Sequence, residues 1–490
     1  MEAGTKARKN IWGTIFLVFI LLALIAAISV AAVYIYQILN IETFYEGVFV
    51  DGIPLADMTK EEGLSKIWEH NQPDLDKMQI VLTHEDQRWE YDYKDINGQI
   101  NVEEVIDMAY LVGREGTVVE RLKEIYNLTK EEKRFETILT YDVSLLQDEI
   151  ESIAHEINED FIDATIEFHP DQKDKFSFTP DKAGKGMLTS ETMEELIARV
   201  DAGDFSDYEI PIEVLEPTYT LEELKTWTSR IGYYSTPLKD STANRVHNIK
   251  LSSKAYYNLR LEPGDVFSLN DATGPRDLKH GYRMASVIKD GNRYEDEAGG
   301  GNCQTSTTLY GAVVRADLEI VERYPHSIPS SYTPIGTDAT VNYPYADFKF
   351  KNNMDTPIFI TRYFAGNSLH VEVYGKQSEE FDEVKLISWE ISRTDTPEYK
   401  TVDDPDMYEG ETKTEIVSRP GIKAVSYRVY YKDGQEINRV KEDDSSYRRN
   451  VGLKRVGTKK KPGDAESDKP EESEKPKKEE PKEEEPKEGD

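Results

Sequence analysis

Between Ile11 and Leu39 the chain carries "IWGTIFLVFILLALIAAISVAAVYIYQIL", an apolar run without a single charge. A bilayer is crossed by about 20 such residues in a helix, so this segment is predicted to be a membrane-spanning helix over residues 11–38. It is longer than the apolar region of a cleaved signal peptide. It also has no cysteine just after it for lipid attachment. Lys6, Arg8 and Lys9 precede the run, and Glu42, Glu46 and Asp51 follow it. The positive-inside rule then leaves residues 1–10 in the cytoplasm and everything beyond about Asn40 outside. The expected location is therefore a single-pass anchor in the cell membrane, with the bulk of the chain extracellular.

The rest of the 490 residues is long enough for several domains. A net charge of −34 argues against nucleic acid as a partner, because phosphate binding needs a basic face. Residues 458–490 are almost entirely charged or Pro-rich, and are predicted to be a disordered tail.

Hydrophobic periodicity divides what remains into an α+β arrangement. Residues 48–113 read as a strand, a turn at Asp51-Gly52, a helix opened by the Thr59/Glu62 capping box, two alternating strands and a helix. Residues 163–202 repeat the pattern of strand, polar turn, strand and helix. Two strand–turn–strand–helix repeat domains are expected, over 42–126 and, with a helical link, 127–222. Composition shifts at Trp227, and a further α+β domain is expected over 227–362. Alternating strands with a hairpin turn at Lys432-Asp433-Gly434 mark a small β-rich domain over 363–457. His84 and His169 lie at turns without partners of obvious chemistry.

One segment concentrates chemistry. Cys303, the only cysteine in the chain, lies in "EAGGGNCQTSTTL". Leu309, Ala312, Val313 and Ala316 follow at helical spacing, so Cys303 falls at or just before a helix N-terminus. Free N–H groups and the helix dipole favour a thiolate there and can hold an oxyanion. Gly299, Gly300 and Gly301 would let another molecule's backbone approach. The competing reading is an inert packed thiol, with Thr305 or Ser306 capping the helix. A reactive thiol calls for a base. His326 is the nearest candidate, ahead of His280 and His247, with Asp338 or Asp347 as orienting carboxylates. No metal-ligand motif and no phosphate-binding loop is present, and no cofactor is expected.

"NRVHNIKL", "PGDVFSLND", "GGGNCQTSTTLY", "LEIVERYPHS", "GTDATV" and "DFKFKNN" together resemble the VanW family, over roughly Trp227 to Arg362. The upstream segments resemble the peptidoglycan-binding domains that often precede VanW domains in Gram-positive bacteria. The family is named after an accessory gene of vancomycin-resistance clusters. Some members resemble a distinct class of L,D-transpeptidase whose nucleophile is the cysteine of this glycine motif. Asn302 and Thr305 stand where the family often has apolar residues, which leaves the motif intact. The chain lacks the "HGC" arrangement of the common L,D-transpeptidase fold, so no histidine is carried over from there. The resemblance implies acyl transfer between peptidoglycan stem peptides through a thioester at Cys303. His326 would serve as base and Asp338 as its partner. Gly300, Gly301, Gln304 and Ser306 would line the oxyanion and substrate positions, with Arg245, or less readily Arg293, on a stem carboxylate. Hydrolysis of the same bond, or a non-catalytic scaffold bound to the wall, are the alternatives.

Overall fold

The computed structural model describes residues 4–239, 241–289 and 293–461. The acidic tail from Pro462 onward lies outside them. The chain divides into two compact units, Met1–Ile162 with Lys182–Pro217, and Asp163–Asp181 with Thr218–Asp490.

The first unit opens on the helix Gly4–Leu39. Its apolar part, Ile11–Leu39, is long and apolar enough to cross a membrane; it is exposed along most of its length, and only its end meets the fold, at Ile38 and the buried Leu39. The Thr59/Glu62 capping box forms in full at the start of Lys60–Asp76. Strands Ile80–His84 and Gln87–Tyr91 pair antiparallel, as their alternation predicts. Helices Gln147–Ile157 and Thr189–Ala202 supply Ile150 and Leu196 to the same core as Val48, Leu55, Ile67, Leu82 and Ile106. Strand Tyr208–Glu209 joins Ile80–His84 in parallel.

The elements expected of two repeats therefore form, but they share one core. The second set is also divided between the units. The hairpin Thr165–Phe168/Phe176–Thr179 belongs to the second unit, whereas the helix after it belongs to the first. The cause is the hairpin's aromatic face. Phe168 and Phe176 pack on Phe359 with ring centroids 5.5 and 5.3 Å apart, and on Tyr374.

The second unit is built on a four-stranded antiparallel sheet in the order Ser229–Pro237, Ser368–Gly375, Ile358–Ala365, Leu259–Leu261. The boundary expected at 362 falls inside one of these strands. The hairpin ending at Gly375 belongs to this sheet because Val371 and Val373 complete its apolar core. Across the sheet lies the helix Asn302–Arg315, buried along nearly its whole length. Two glycines allow the contact: a Cβ on Gly232 would lie 2.4 Å from the Ala312 carbonyl oxygen, and one on Gly311 would lie 2.2 Å from the Tyr234 ring.

The C-terminal part of the unit is β-rich, as expected. It comprises two three-stranded sheets, one of Glu383–Arg393, Ile422–Lys432 and Gln435–Tyr447, the other of Lys400–Tyr408, Leu453–Lys459 and Thr412–Ile416. Asp433 and Gly434 take the positive φ of the hairpin turn.

Candidate active site

Cys303 is the second residue of the helix Asn302–Arg315, which starts after Gly301 at φ +116°. It is partly exposed, whereas its neighbours Asn302, Gln304 and Thr305 are buried. Its Sγ lies 3.5 Å from the Val341 carbonyl oxygen, and the imidazole of His326 is near enough to act on its charge. The amides on either side of Cys303 have acceptors, Asn302 N–H in Gly299 O and Gln304 N–H in Gly301 O.

His326 sits in the irregular segment after strand Glu319–Glu322. Its Nδ1 is 2.5 Å from Asp338 Oδ2, which also accepts the His326 backbone N–H at 2.7 Å. With Nδ1 engaged, Nε2 is the ring atom free for the thiol. Asp338 is 1% exposed. Its Oδ1 accepts the Tyr447 hydroxyl at 2.5 Å and lies 3.8 Å from the Arg323 guanidinium. Carboxylate, imidazole and sulfur thus act on one another in line, the first two through a hydrogen bond and the last two through charge.

The electrostatics follow from this line. Burial opposes the charged form of all three groups. For Cys303 it is outweighed by the hydrogen bond and charge of His326, with the Val341 backbone and Arg276 adding to them, and the thiol pKa is lowered. For His326, burial is outweighed by the hydrogen bonds to Asp338 and Cys303 and by their charges, and the pKa rises to about 10. For Asp338, burial is outweighed by His326 and Tyr447, and the pKa is lowered. The geometry favours a thiolate–imidazolium pair.

The segment holding Asp338 is docked on the cysteine helix by hydroxyls. Ser306 Oγ donates to Ala339 O at 2.6 Å, Thr307 Oγ1 donates to the same carbonyl at 3.2 Å, and Ala339 N–H donates to Thr307 Oγ1 at 3.0 Å. This is the local reason for Ser306 and Thr307 after the cysteine, whose hydroxyls bond sideways to this irregular segment as well as back to the Cys303 carbonyl. Thr308 instead bonds Gln304 O and the Thr236 hydroxyl.

Other candidates fall elsewhere. His280, exposed, bonds Asp277 at 2.7 Å, and half-buried His247 bonds Gly281 O at 3.0 Å. Asp347 accepts from Ser268 Oγ at 2.6 Å and from the backbone N–H of Asn270 and Phe348 at 2.8 and 2.7 Å, which fixes a turn. Gln304 is buried, donating to Pro237 O at 2.7 Å and Thr236 Oγ1 at 3.1 Å and accepting from Arg245 at 3.2 Å. Ser306 spends its hydroxyl proton on Ala339. The glycines serve the chain's own packing more than a visitor. A Cβ on Gly300 would lie 2.4 Å from Ala285 O, and one on Gly301 would lie 2.9 Å from the Ile249 side chain. The Arg293 side chain lies outside the described residues.

Two residues near the thiol escape sequence reasoning. Arg276 Nη2 donates to Asn270 Oδ1 at 2.7 Å and Thr273 Oγ1 at 2.9 Å, while Nε and Nη1 are buried without a hydrogen-bond acceptor in range among the described residues. Tyr332 is pushed up by burial first and then by the charge of Cys303. "GPRDLKH" and "SSYTP" carry no spacing signal that would tie either one to Cys303. No group of metal-ligating side chains occurs among the described residues.

This arrangement lies within a region that matches the family model "VanW like protein" over residues 244–374. Residues 89–209 match "Putative peptidoglycan binding domain", and residues 390–459 match "G5 domain". The chain is 37% identical over 202 residues to the uncharacterized protein YoaR of Bacillus subtilis, covering 41% of this chain and 66% of YoaR. It is 30% identical over 117 residues to the vancomycin B-type resistance protein VanW of Enterococcus faecalis, covering 23% of this chain and 42% of that protein. The chain thus spans about two thirds of the first relative and less than half of the second. The solved G5 domain of an IgA1 protease is 21% identical over 16% of this chain and 95% of that structure, at a TM-score of 0.11. In class, this is a modular protein associated with the cell wall. More narrowly, it belongs to the VanW family, with a peptidoglycan-binding domain before the VanW-like domain and a G5 domain after it.

Proposed function

We propose that the protein is a cysteine L,D-transpeptidase that joins peptidoglycan stem peptides by 3–3 cross-links. The observation that carries this reading is the buried His326–Asp338 hydrogen bond, set where the imidazole acts on the Cys303 thiol at a helix N-terminus. The Cys303 thiolate attacks the carbonyl carbon of the third residue of a tetrapeptide stem. The carbonyl electrons move onto oxygen, where the Cys303 backbone N–H, an unbonded first-turn donor, stabilises them. The intermediate collapses to a thioester. The bond to the terminal D-alanine breaks, and His326 Nε2 gives its proton to the departing amine. The side-chain amine of a second stem then attacks the thioester and loses a proton to His326. An amide forms and the thiolate is regenerated. Throughout, Asp338 holds the imidazole in the tautomer these transfers need.

For the stem carboxylate, Arg276 is better supplied than Arg245. Its charge acts on the thiol and its Nε and Nη1 lack an acceptor among the described residues, which a small shift of the side chain would bring to the substrate, whereas Arg245 is engaged with Gln304 and with the Ser286 carbonyl. In this reading the apolar helix Ile11–Leu39 anchors the chain with its basic end in the cytoplasm, so that the thiol faces the wall.

The test is product formation. Full-length protein in detergent is incubated with tetrapeptide-bearing muropeptides, and the products are separated by mass. The expected result is 3–3 cross-linked dimers that disappear in Cys303→Ala. Tripeptide without dimer would indicate that water takes the amine's place. The same products from Cys303→Ala would refute a catalytic thiol and favour a wall-bound scaffold.

A further inference from the structure

Asp338 is held by two separate parts of the second unit. One oxygen, Oδ2, faces His326. The other accepts the hydroxyl of Tyr447, the last residue of strand Gln435–Tyr447 in the C-terminal sheets. Tyr447 is 2% exposed, and its hydroxyl oxygen in turn accepts the Gly336 backbone N–H at 2.8 Å. The same strand makes a second hold. Arg323, buried beside Asp338, donates to Asp443 at 2.7 Å and Ser445 at 3.0 Å of that strand, and to the Asp338 carbonyl oxygen at 2.7 Å. Ile335 packs against Ile422, Ala424 and Tyr447. The segment from Ile335 to Asp338 is therefore clamped between the cysteine helix and the C-terminal sheet.

We propose that Tyr447 is a positioning residue of the thiol site: its hydroxyl fixes the Asp338 carboxylate so that Oδ2 meets His326. The C-terminal sheet is then part of the site. A carboxylate with one oxygen pinned cannot turn away from the imidazole, and a buried charged acceptor with a full set of donors holds its geometry better than one short of a donor. The proposal rests on reading Cys303, His326 and Asp338 as a reacting array. It adds a requirement that the array alone does not contain.

The experiment measures the iodoacetamide alkylation rate of Cys303 in the full-length chain between about pH 5 and pH 10, where thiolate and thiol differ in reactivity. Wild type, Tyr447→Phe and Val429→Ala, a buried residue of the same sheet away from Tyr447, are compared, with thermal melting of each. The charged and titratable groups facing the site are His326, Arg276 and Tyr332 on the thiol side, and Arg323 and Tyr447 on the Asp338 side, and all but Tyr447 are unchanged. Tyr447→Phe keeps the ring and its packing. It is expected to lower the rate near neutrality about tenfold, as loss of one hydrogen bond to a charged group would, and to move the midpoint upward in pH. Val429→Ala is expected to lower the melting temperature and leave the pH profile in place. A Tyr447→Phe profile that overlays wild type would overturn the proposal. So would equal slowing in both variants, which would make Tyr447 a packing residue. No stem peptide is used, so an activated thiol that fails to form cross-links would count against the transpeptidase reading and leave the role of Tyr447 standing.

Discussion

His326 Nδ1 and Asp338 Oδ2 lie 2.5 Å apart in a pocket where the carboxylate is 1% exposed and the imidazole 7%. A buried carboxylate that orients an imidazole is worth most when it cannot change partners. Asp338→Asn replaces an acceptor with a group that can also donate, and so admits the wrong imidazole tautomer. The expected outcome is a loss of about a hundredfold or more in turnover, in the range of general acid–base contributions, with little change in KM. Steady-state kinetics on muropeptides check it.

The pH dependence follows from two shifts of opposite sign. Cys303 is lowered from 9.0 and His326 is raised to about 10. The two shifts favour the charged pair, so alkylation should hold its rate further toward acid than that of an ordinary thiol. For stability, a raised histidine contributes fully below its unfolded pKa of about 6.5, and its contribution is lost as pH rises through about 10. The melting temperature of wild type should therefore exceed that of His326→Gln near neutrality, with the gap closing toward pH 10. A gap that widens there would contradict the pairing.

Gly311 faces the Tyr234 ring with no room for a Cβ. Gly311→Ala should cost about 1–3 kcal/mol, as overpacking of a tight core does, and lower the melting temperature. The thiol should become less reactive because the helix carrying it is displaced from its sheet.

The hairpin Thr165–Thr179 stabilises the second unit, although the helix that follows it belongs to the first. Phe176→Ala should weaken the second unit by about 2–4 kcal/mol, toward the lower side of buried-aromatic truncations. Hydrogen exchange should speed up in strand Ile358–Ala365, against which the hairpin packs. Exchange that quickens only around Leu82 and Ile106 would contradict this assignment.

Local patterns were legible in the sequence to the extent that their causes are local. The Thr59 capping box, the Asp51-Gly52 and Asp433-Gly434 turns and the helix after Gly301 depend on neighbouring residues, and they form as the residues dictate. Cys303 and His326 stood out because nucleophile and base are rare residue types in this chain. Asp338 could be named only beside Asp347, because spacing does not say which carboxylate reaches the imidazole. The distribution of the repeat-like segments over one shared core and two units was hidden, since alternation shows that Phe168 and Phe176 need cover and not what provides it. Tyr447 was out of reach for the same reason: it lies 109 positions from Asp338, in a stretch whose alternation reads only as strand. The glycines misled in one respect. They permit close approach, but what approaches is Ala285, Ile249 and Arg276 of the same chain.

The central claim is a covalent bond to Cys303. Full-length protein is mixed with a tetrapeptide stem lacking an acceptor amine, quenched in acid, and measured by intact and peptide mass. The account predicts an adduct equal to the stem minus its terminal D-alanine, located on the Cys303 peptide and released by hydroxylamine, as a thioester is. Cross-linked or trimmed product formed with no adduct at Cys303 at any quench time, and undiminished in Cys303→Ala, would contradict it.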